Sequence, residues 1–276
     1  MNIIVCQAQE DKYGNTKENI FIAYDDRHNY LGNSYVYPTI NYHQTNETPY
    51  LLFIGIQVGE QIEQSLADEV KQRLFDAVLQ RAKVLREERN ELKCRIYAGF
   101  QYDEKKLAFY LKNGFEEDYS IFMETTILES TYASLPKDIQ VGEYSVANKE
   151  NLASFKAQYD EIFVSPLDGE GFAAAQKDDK SFKNFYFYLD GQLVGECSVR
   201  EENECGWIEI LYVLQQKRGL GISKKMMNYI HQYFLEKGIH KVKLEVWGIN
   251  KRAVSLYESF GYKEVGRGDM FPGITI

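Results

Sequence analysis

Residues 210–227 (ILYVLQQKRGLGISKKMM) constrain this chain more than any other segment. An apolar strand runs into a short loop with glycines at 219 and 221, and the loop opens directly into an amphipathic helix. Glycine adopts positive φ and lets a backbone approach a ligand closely. The first turn of a helix presents unpaired N–H groups and the positive end of its dipole. The segment therefore reads as a phosphate site, with Gln216, Lys217 and Arg218 adding polar and cationic groups beside it.

The rest of the chain is ordered around similar units. Residues 3–9, 19–26 and 33–42 alternate β-branched and aromatic residues between turn clusters, and read as strands. The 21 Tyr and 16 Phe fit a sheet-rich fold. Residues 49–58 form a continuous apolar run, expected to be a buried strand. A helix follows over about 65–91, with Leu66, Val70, Leu74, Val78 and Leu85 near helical spacing. Then come a strand (94–100), a helix ending at Gly114 (104–115) and a strand (116–127). Residues 128–142 carry small and polar residues and Pro136, the signature of a linker.

The second half repeats the plan. It has a helix (148–163), a hairpin turning at Asp190-Gly191 (183–201), a strand (206–214), a helix (221–238), a strand (241–247), a helix (251–261) and a last strand (262–267). Comparing AFYLKNGFEED with SLYESFGYKEV supports an internal duplication. Its alternative is a chance likeness of two α/β segments. With 276 residues, two domains of ordinary size are expected, residues 1–127 and 143–276.

Three anion-site readings compete for the glycine loop. GxxxxGK[ST] is absent. In GxGxxG, Lys224 stands where the third glycine belongs; Glu245 imitates the ribose-binding acid, but little chain follows it for a doubly wound sheet. In the third reading, Gln216-Lys217-Arg218-Gly219-Leu220-Gly221 resembles the pyrophosphate loop Q/R-x-x-G-x-G/A of the GNAT N-acetyltransferases. Residues 250–262, beginning Asn250-Lys251-Arg252-Ala253 and running through Leu256-Tyr257 to Gly261-Tyr262, are similar to that family's second signature, N-x-x-A-x-x-L-Y-x-x-x-G-F, with Tyr262 in place of Phe. The resemblance covers about residues 138–266.

The resemblance implies an α+β fold: two GNAT-like domains, each a twisted mixed sheet with a splayed strand and flanking helices. It implies acetyl-CoA as cosubstrate and an amine as acceptor, with direct attack on the thioester in a ternary complex. Leu211, Tyr212 and Val213 are expected on the splayed strand that meets pantetheine. Gln216, Lys217, Arg218, Gly219, Leu220, Gly221, Ile222 and Ser223 are expected around the pyrophosphate. Lys224 and Lys225 are weaker phosphate candidates, since helix-surface lysines are usually just solvated. Asn250 is expected at the cofactor arm, or simply as a helix N-cap. Tyr257 is the candidate general acid; the plainer reading is a packed aromatic.

For the base, alternation puts Trp207, Glu209, Leu211 and Val213 on one face, so Glu209 is expected among apolar neighbours with a raised pKa. The alternative is an exposed carboxylate, and Glu196 on the hairpin is a rival. A non-catalytic acyl-CoA-binding regulator would keep the loop and dispense with Tyr257 and the base. In the N-terminal half the strand is followed by VGEQIEQSLADEV. The x-x-G-x-G spacing is lost, and Glu60 and Glu63 stand where phosphate would bind, so that domain is expected to be degenerate.

Net charge is −9 with no basic stripe, so no nucleic-acid partner is expected. The start lacks the layout of a signal peptide, no run reaches the ~20 apolar residues of a membrane span, and Cys6, Cys94, Cys197 and Cys205 are dispersed. A cytoplasmic location, no membrane partner and no metal are expected. His231 and His240 flank a helix end and are expected to face solvent. The acceptor, a small-molecule or peptide amine, and the choice between monomer and homodimer stay open.

Overall fold

The computed structural model describes residues 2–12, 14–45, 47–128, 138–163 and 168–276. They divide into two units, each with a mixed sheet and its own helices.

The first unit holds residues 1–42, 46–119 and 269–276. Strands β1 (Ile4–Gln7), β2 (Ile20–Tyr24), β3 (Tyr30–Ile40) and β4 (Tyr50–Val58) run antiparallel in sequence order. Helix α1 (Gln64–Glu88) then crosses to β5 (Cys94–Tyr97), parallel to β4. The spacing read from the sequence is the buried face of α1: Val70, Leu74, Val78 and Leu85 are buried, joined by Phe75 and Ala82. Phe75, Val78, Ala82 and Leu85 pack with Val36, Leu52, Ile54 and Ile96 of the sheet, and Val70 and Leu74 with Ala23 and Leu31. Helix α2 (Glu104–Lys112) starts on Asp103, whose carboxylate accepts from the Lys106 N–H at 2.9 Å. Beside β5 the sheet is completed by β13 (Gly273–Thr275), from the far end of the sequence.

The second unit holds residues 43–45 and 120–268. Its sheet order is β12-β6-β11-β10-β9-β8-β7: β12 (Lys263–Met270), β6 (Tyr119–Thr126), β11 (Lys241–Trp247), β10 (Cys205–Val213), β9 (Gln192–Glu202), β8 (Lys183–Leu189) and β7 (Ile139–Tyr144). Helix α5 (Ile222–Glu236) makes the crossover between the parallel strands β10 and β11. It buries Ile222, Met226, Met227, Ile230 and Phe234 against one face. Helices α3 (Lys149–Phe163) and α4 (Gly169–Asp178) cover the other through Phe155, Ile162 and Phe172, which cluster with Val146 and Tyr212. Helix α6 (Lys251–Ser259) precedes β12.

Both units thus repeat strand, long helix, parallel strand, short helix, the order read from the sequence. The units are not sequential. Strand β6 follows α2 in the chain yet belongs to the second sheet, and β13 belongs to the first. A cut between residues 127 and 143 therefore crosses both sheets. Residues 129–137 of the expected linker lie outside the described residues. Its end is not linker but strand, because Ile139 and Val141 alternate into the pairing with Leu189 and Phe187 on β8. Among the described residues no helix is long and apolar enough to cross a membrane.

The seat of α5 depends on Gly206. A Cβ there would stand 2.6 Å from the Phe234 ring. Gly206→Ala is expected to lower stability by about 1–3 kcal/mol through overpacking, read from the midpoint of urea unfolding. An unchanged midpoint would contradict the close seating of α5 on β10.

Candidate active site

Strands β10 and β11 pair in register from Cys205↔Lys241 to Ile208↔Leu244, and the register ends there. β10 continues to Val213 and β11 to Trp247, so the two part in a fork. A cavity of about 500 Å³ lies in the fork, lined by Leu211, Tyr212, Val213, Trp247, Asn250 and Tyr257, with the glycine loop along one side. Strand-edge N–H and C=O groups without a ladder partner are good partners for an amide-rich ligand arm.

The loop is built as its glycines require. Gly219 has φ +81° and Gly221 φ +72°, the left-handed region that glycine enters without steric cost. Nothing lies within 4 Å of a Cβ built at either one, so the backbone is open to an incoming group. Gly221 caps α5, and Ile222, Ser223 and Lys224 of its first turn line the cavity together with Lys217 and Arg218. Gln216 lies in the 3-10 turn Gln215–Lys217 before the loop, and Leu220 projects outward, 59% exposed.

The Arg218 guanidinium donates to the Val213 carbonyl at 3.3 Å and bonds His43 Nδ1 at 3.0 Å. Arg252 donates to the His43 carbonyl at 2.7 Å. Burial, then the charges of Arg218 and Arg252, hold the His43 pKa down at about 3, so the neutral imidazole accepts from Arg218 at physiological pH. His43 and Arg252 escaped the sequence reading. Arg252 was within reach, inside the second signature; His43 lies far away in the chain.

Asn250 caps α6, its side chain accepting from the Ala253 N–H at 3.2 Å, and it also lines the cavity. Tyr257 is buried on α6, and burial pushes its phenol well above the ordinary value. Glu245, the imitation of a ribose-binding acid, accepts a short hydrogen bond from the Ser120 hydroxyl.

Two expectations need correction. His231 does not face solvent; it is fully buried, bonds the Tyr262 hydroxyl at 2.8 Å and packs edge-on against Phe260. Burial pulls its pKa down to about 4, so it stays neutral. Strict alternation does not hold at Glu209 either. Opposite β9, the register steps from Ile208↔Val199 to Ile210↔Ser198, so Glu209 is the extra residue of a β-bulge. The bulge moves every later side chain to the other face from the one counted by alternation. Trp207, Ile210 and Tyr212 share one face; Ile208 and Leu211 share the other. Glu209 is not among apolar neighbours either. It pairs with Arg200, which lies over the Trp207 ring at 5.3 Å.

The buried carboxylate is Glu196, which faces Tyr212 across β9 and β10. It is wholly buried, and Tyr144 Oη donates to Oε2 at 2.6 Å. Tyr212 turns its hydroxyl to the same carboxyl group but falls short of a well-formed bond; among the described residues both Glu196 Oε1 and Tyr212 Oη are buried without a hydrogen-bond partner. Each such group costs about 1–3 kcal/mol, which sets this pair apart from an ordinary core. Burial raises the Glu196 pKa from 4.5 to about 7, against the opposing effect of the tyrosine hydroxyls.

Residues 149–262 match the family described as Acetyltransferase (GNAT) family. Thialysine N-epsilon-acetyltransferase of Mus musculus is 36% identical over 59 residues, 21% of this chain and 35% of that protein. N-acetylaspartate synthetase of Rattus norvegicus is 30% identical over 92 residues, 32% of this chain and 31% of that protein. The chain thus spans about a third of the length of these curated relatives. A GCN5-related N-acetyltransferase structure from Sphaerobacter thermophilus aligns with a TM-score of 0.49 and 14% identity, over 96% of this chain and 82% of that one.

The Glu196 shift predicts a pH dependence. Between pH 4.5 and about 7 the folded chain keeps a proton that the unfolded chain has lost. Stability therefore falls as pH rises through that window, by on the order of 3 kcal/mol, and the loss is complete above it. Glu196→Gln is expected to flatten that slope in urea unfolding followed across the window; an unaltered slope would mean that Glu196 ionises normally. The fork, the open glycine loop and the second signature all fall within residues 149–262, the region that matches the acetyltransferase (GNAT) family.

Proposed function

We propose that this chain is an acetyl-CoA-dependent N-acetyltransferase, acting by direct attack of an amine on the thioester in a ternary complex. The observation that carries the reading is the pair of open, left-handed glycines, Gly219 and Gly221, at the head of α5 and beside the forked strands. Phosphate oxygens fit where side chains would otherwise stand. Arg218, Arg252, Lys217 and Lys224 supply the positive charge that a pyrophosphate and a further phosphate require. The edge of β10 at Leu211 and Val213, beyond the last pairing with β11, suits the amides of a pantetheine arm, and an N–H there would stabilise charge on the thioester oxygen.

In the reaction the amine nitrogen bonds to the carbonyl carbon, the C–S bond breaks, and sulfur leaves as a thiolate. Tyr257 gives its proton to that sulfur and recovers one from the new amide nitrogen. A thiolate of ordinary pKa about 8–9 is a weak match for a phenol raised by burial. The same desolvation raises the thiolate, so the transfer becomes nearly level once both are out of water. The names of the two relatives make amino-acid amines the first acceptors to try.

The N-terminal unit is proposed to be a GNAT-like unit that has lost its cofactor site. Gly59 follows β4, where the second unit has its loop, but it is not left-handed. A Cβ there would meet Ile62 at 3.2 Å and the Leu31 carbonyl at 3.4 Å, so the backbone is not open as it is at Gly219 and Gly221. Glu60 and Glu63 add negative charge at the head of α1.

Acetyl-CoA at a hundredfold over its dissociation constant is expected to stabilise the fold by about 2.7 kcal/mol in thermal unfolding, with NAD and ATP as controls. Calorimetric titration should give one site per chain. A shift with NAD alone would overturn the assignment, and binding without thiol release across amine panels would leave only an acyl-CoA-binding role. Gly221→Val, strained at φ +72°, is expected to abolish the acetyl-CoA shift. Tyr257→Phe should bind acetyl-CoA normally yet lower kcat by roughly 10²-fold or more; full turnover by this variant would remove the acid role.

A further inference from the structure

The acceptor amine must shed a proton before it attacks, and the carboxylate expected to take it, Glu209, is held by Arg200 on a bulge. Glu196 offers a different chemistry. One of its oxygens is fixed by Tyr144; the other, deep in the protein, has no hydrogen-bond partner among the described residues. Directly across the strand pair is Tyr212, whose hydroxyl is likewise buried and unpartnered. Tyr212 is also a wall of the forked cavity. A tyrosine that lines the forked cavity and whose buried hydroxyl faces a carboxylate oxygen is a route for a proton between the two. It exchanges one proton for another without ever becoming charged.

We propose that Glu196 is the terminal proton acceptor of acyl transfer, and that the Tyr212 hydroxyl carries the acceptor's proton to it. The ammonium of the acceptor gives a proton to Tyr212 Oη as the tyrosine's own proton passes to Glu196 Oε1. A cation and a carboxylate become a neutral amine and a carboxylic acid; the tyrosine ends as it began. The tyrosines that face the carboxyl group are Tyr144 from β7, Tyr186 from β8 and Tyr212 from β10. All three phenols are raised by burial, so none competes for the negative charge. Glu196 rising to about 7 leaves it a proton acceptor at neutral pH and a stronger base than an exposed carboxylate. Tyr144 acts as a positioning residue, turning Oε1 toward Tyr212 by holding Oε2.

This relay rests on the acetyltransferase reading above, and two measurements keep them apart. The first needs no acceptor. Infrared difference spectra of the full-length protein, titrated through pH 7, are expected to show a buried carboxylic acid losing its proton. The band should vanish in Glu196→Gln and titrate at higher pH in Tyr212→Phe, which removes a hydroxyl that favours the anion. The second follows kcat against pH with acetyl-CoA and thialysine, lysine or aspartate as the amine. Glu196→Gln should lose roughly 10²-fold or more in kcat together with the acid limb near pH 7, while the acetyl-CoA thermal shift is unchanged. Tyr212→Phe should lose kcat in the same direction, and Glu209→Gln should keep the limb.

Wild-type protein that neither shifts with acetyl-CoA nor releases thiol would sink the acetyltransferase reading itself. An active wild type with no carboxyl titrating near pH 7, or a Glu196→Gln enzyme that keeps the wild-type profile, would overturn the relay alone. So would a Glu209→Gln enzyme that loses the limb.

Discussion

The second unit is organised by the point at which β10 stops pairing with β11. Parallel pairing lasts for four residue pairs and ends at Ile208↔Leu244. One residue later the bulge at Glu209 adds a unit of chain on the side facing β9. Bulges bend a strand and sharpen its twist. Placed here, the bend carries β10 away from β11 while its ladder to β9 continues to Val213↔Gly195. The fork, the free strand edge and the cavity are consequences of that geometry. The bulge also decides which side chains face α3 and α4, and so brings Tyr212 opposite Glu196.

Two carboxylates near the fork show how environment decides chemistry. Glu209 is about one-third exposed and paired with an arginine that an indole ring covers. Its charge is already met by an opposite one. Among the described residues Glu196 has no cation beside it; hydroxyls partly offset the loss of water, and burial dominates. An exposed ion pair contributes little, about 0–1 kcal/mol, whereas a lone buried carboxylate alters stability by several times that. A chain keeps such a group only where its neighbours are arranged around it, as Tyr144, Tyr186 and Tyr212 are here.

What could be read from the sequence was what is written locally. The α1 ladder from Val70 to Leu85, the turn at Asp190-Gly191 and the strand–loop–helix at Gly219 and Gly221 each depend on neighbours within a few residues. The bulge was invisible, since nothing in GWIEILYV marks one residue as extra, and counting by twos then put Glu209 on the wrong footing. Helix α4 went unread although Asp168 caps it through the Gly171 N–H at 3.0 Å, because the apolar stripe of GEGFAAAQKD is too short to stand out. His231 looked like a polar residue near a helix end; only Tyr262, 31 residues away, shows why it is buried. The Glu196 group joins β7, β8, β9 and β10, and no local pattern announces a cluster of that kind.

The two units make the point from the opposite direction. Each has a strand, a loop and a long crossover helix in the same order, and each carries glycine in that loop. At Gly219 and Gly221 the backbone is left-handed and the space beyond is open. At Gly59 it is not left-handed, Ile62 packs where a side chain would start, and two glutamates follow. A helix N-terminus attracts an anion by only about 0.3–1 kcal/mol when exposed, so the dipole alone does not make a phosphate site. What makes one is room for the oxygens, several N–H groups turned the same way, and cations in place of carboxylates. Around Gly219 and Gly221 the second unit offers open backbone and cations, whereas in the first Ile62 stands over Gly59 and carboxylates replace the cations, so one fold plan, present twice, supports the proposed cofactor site in the second unit.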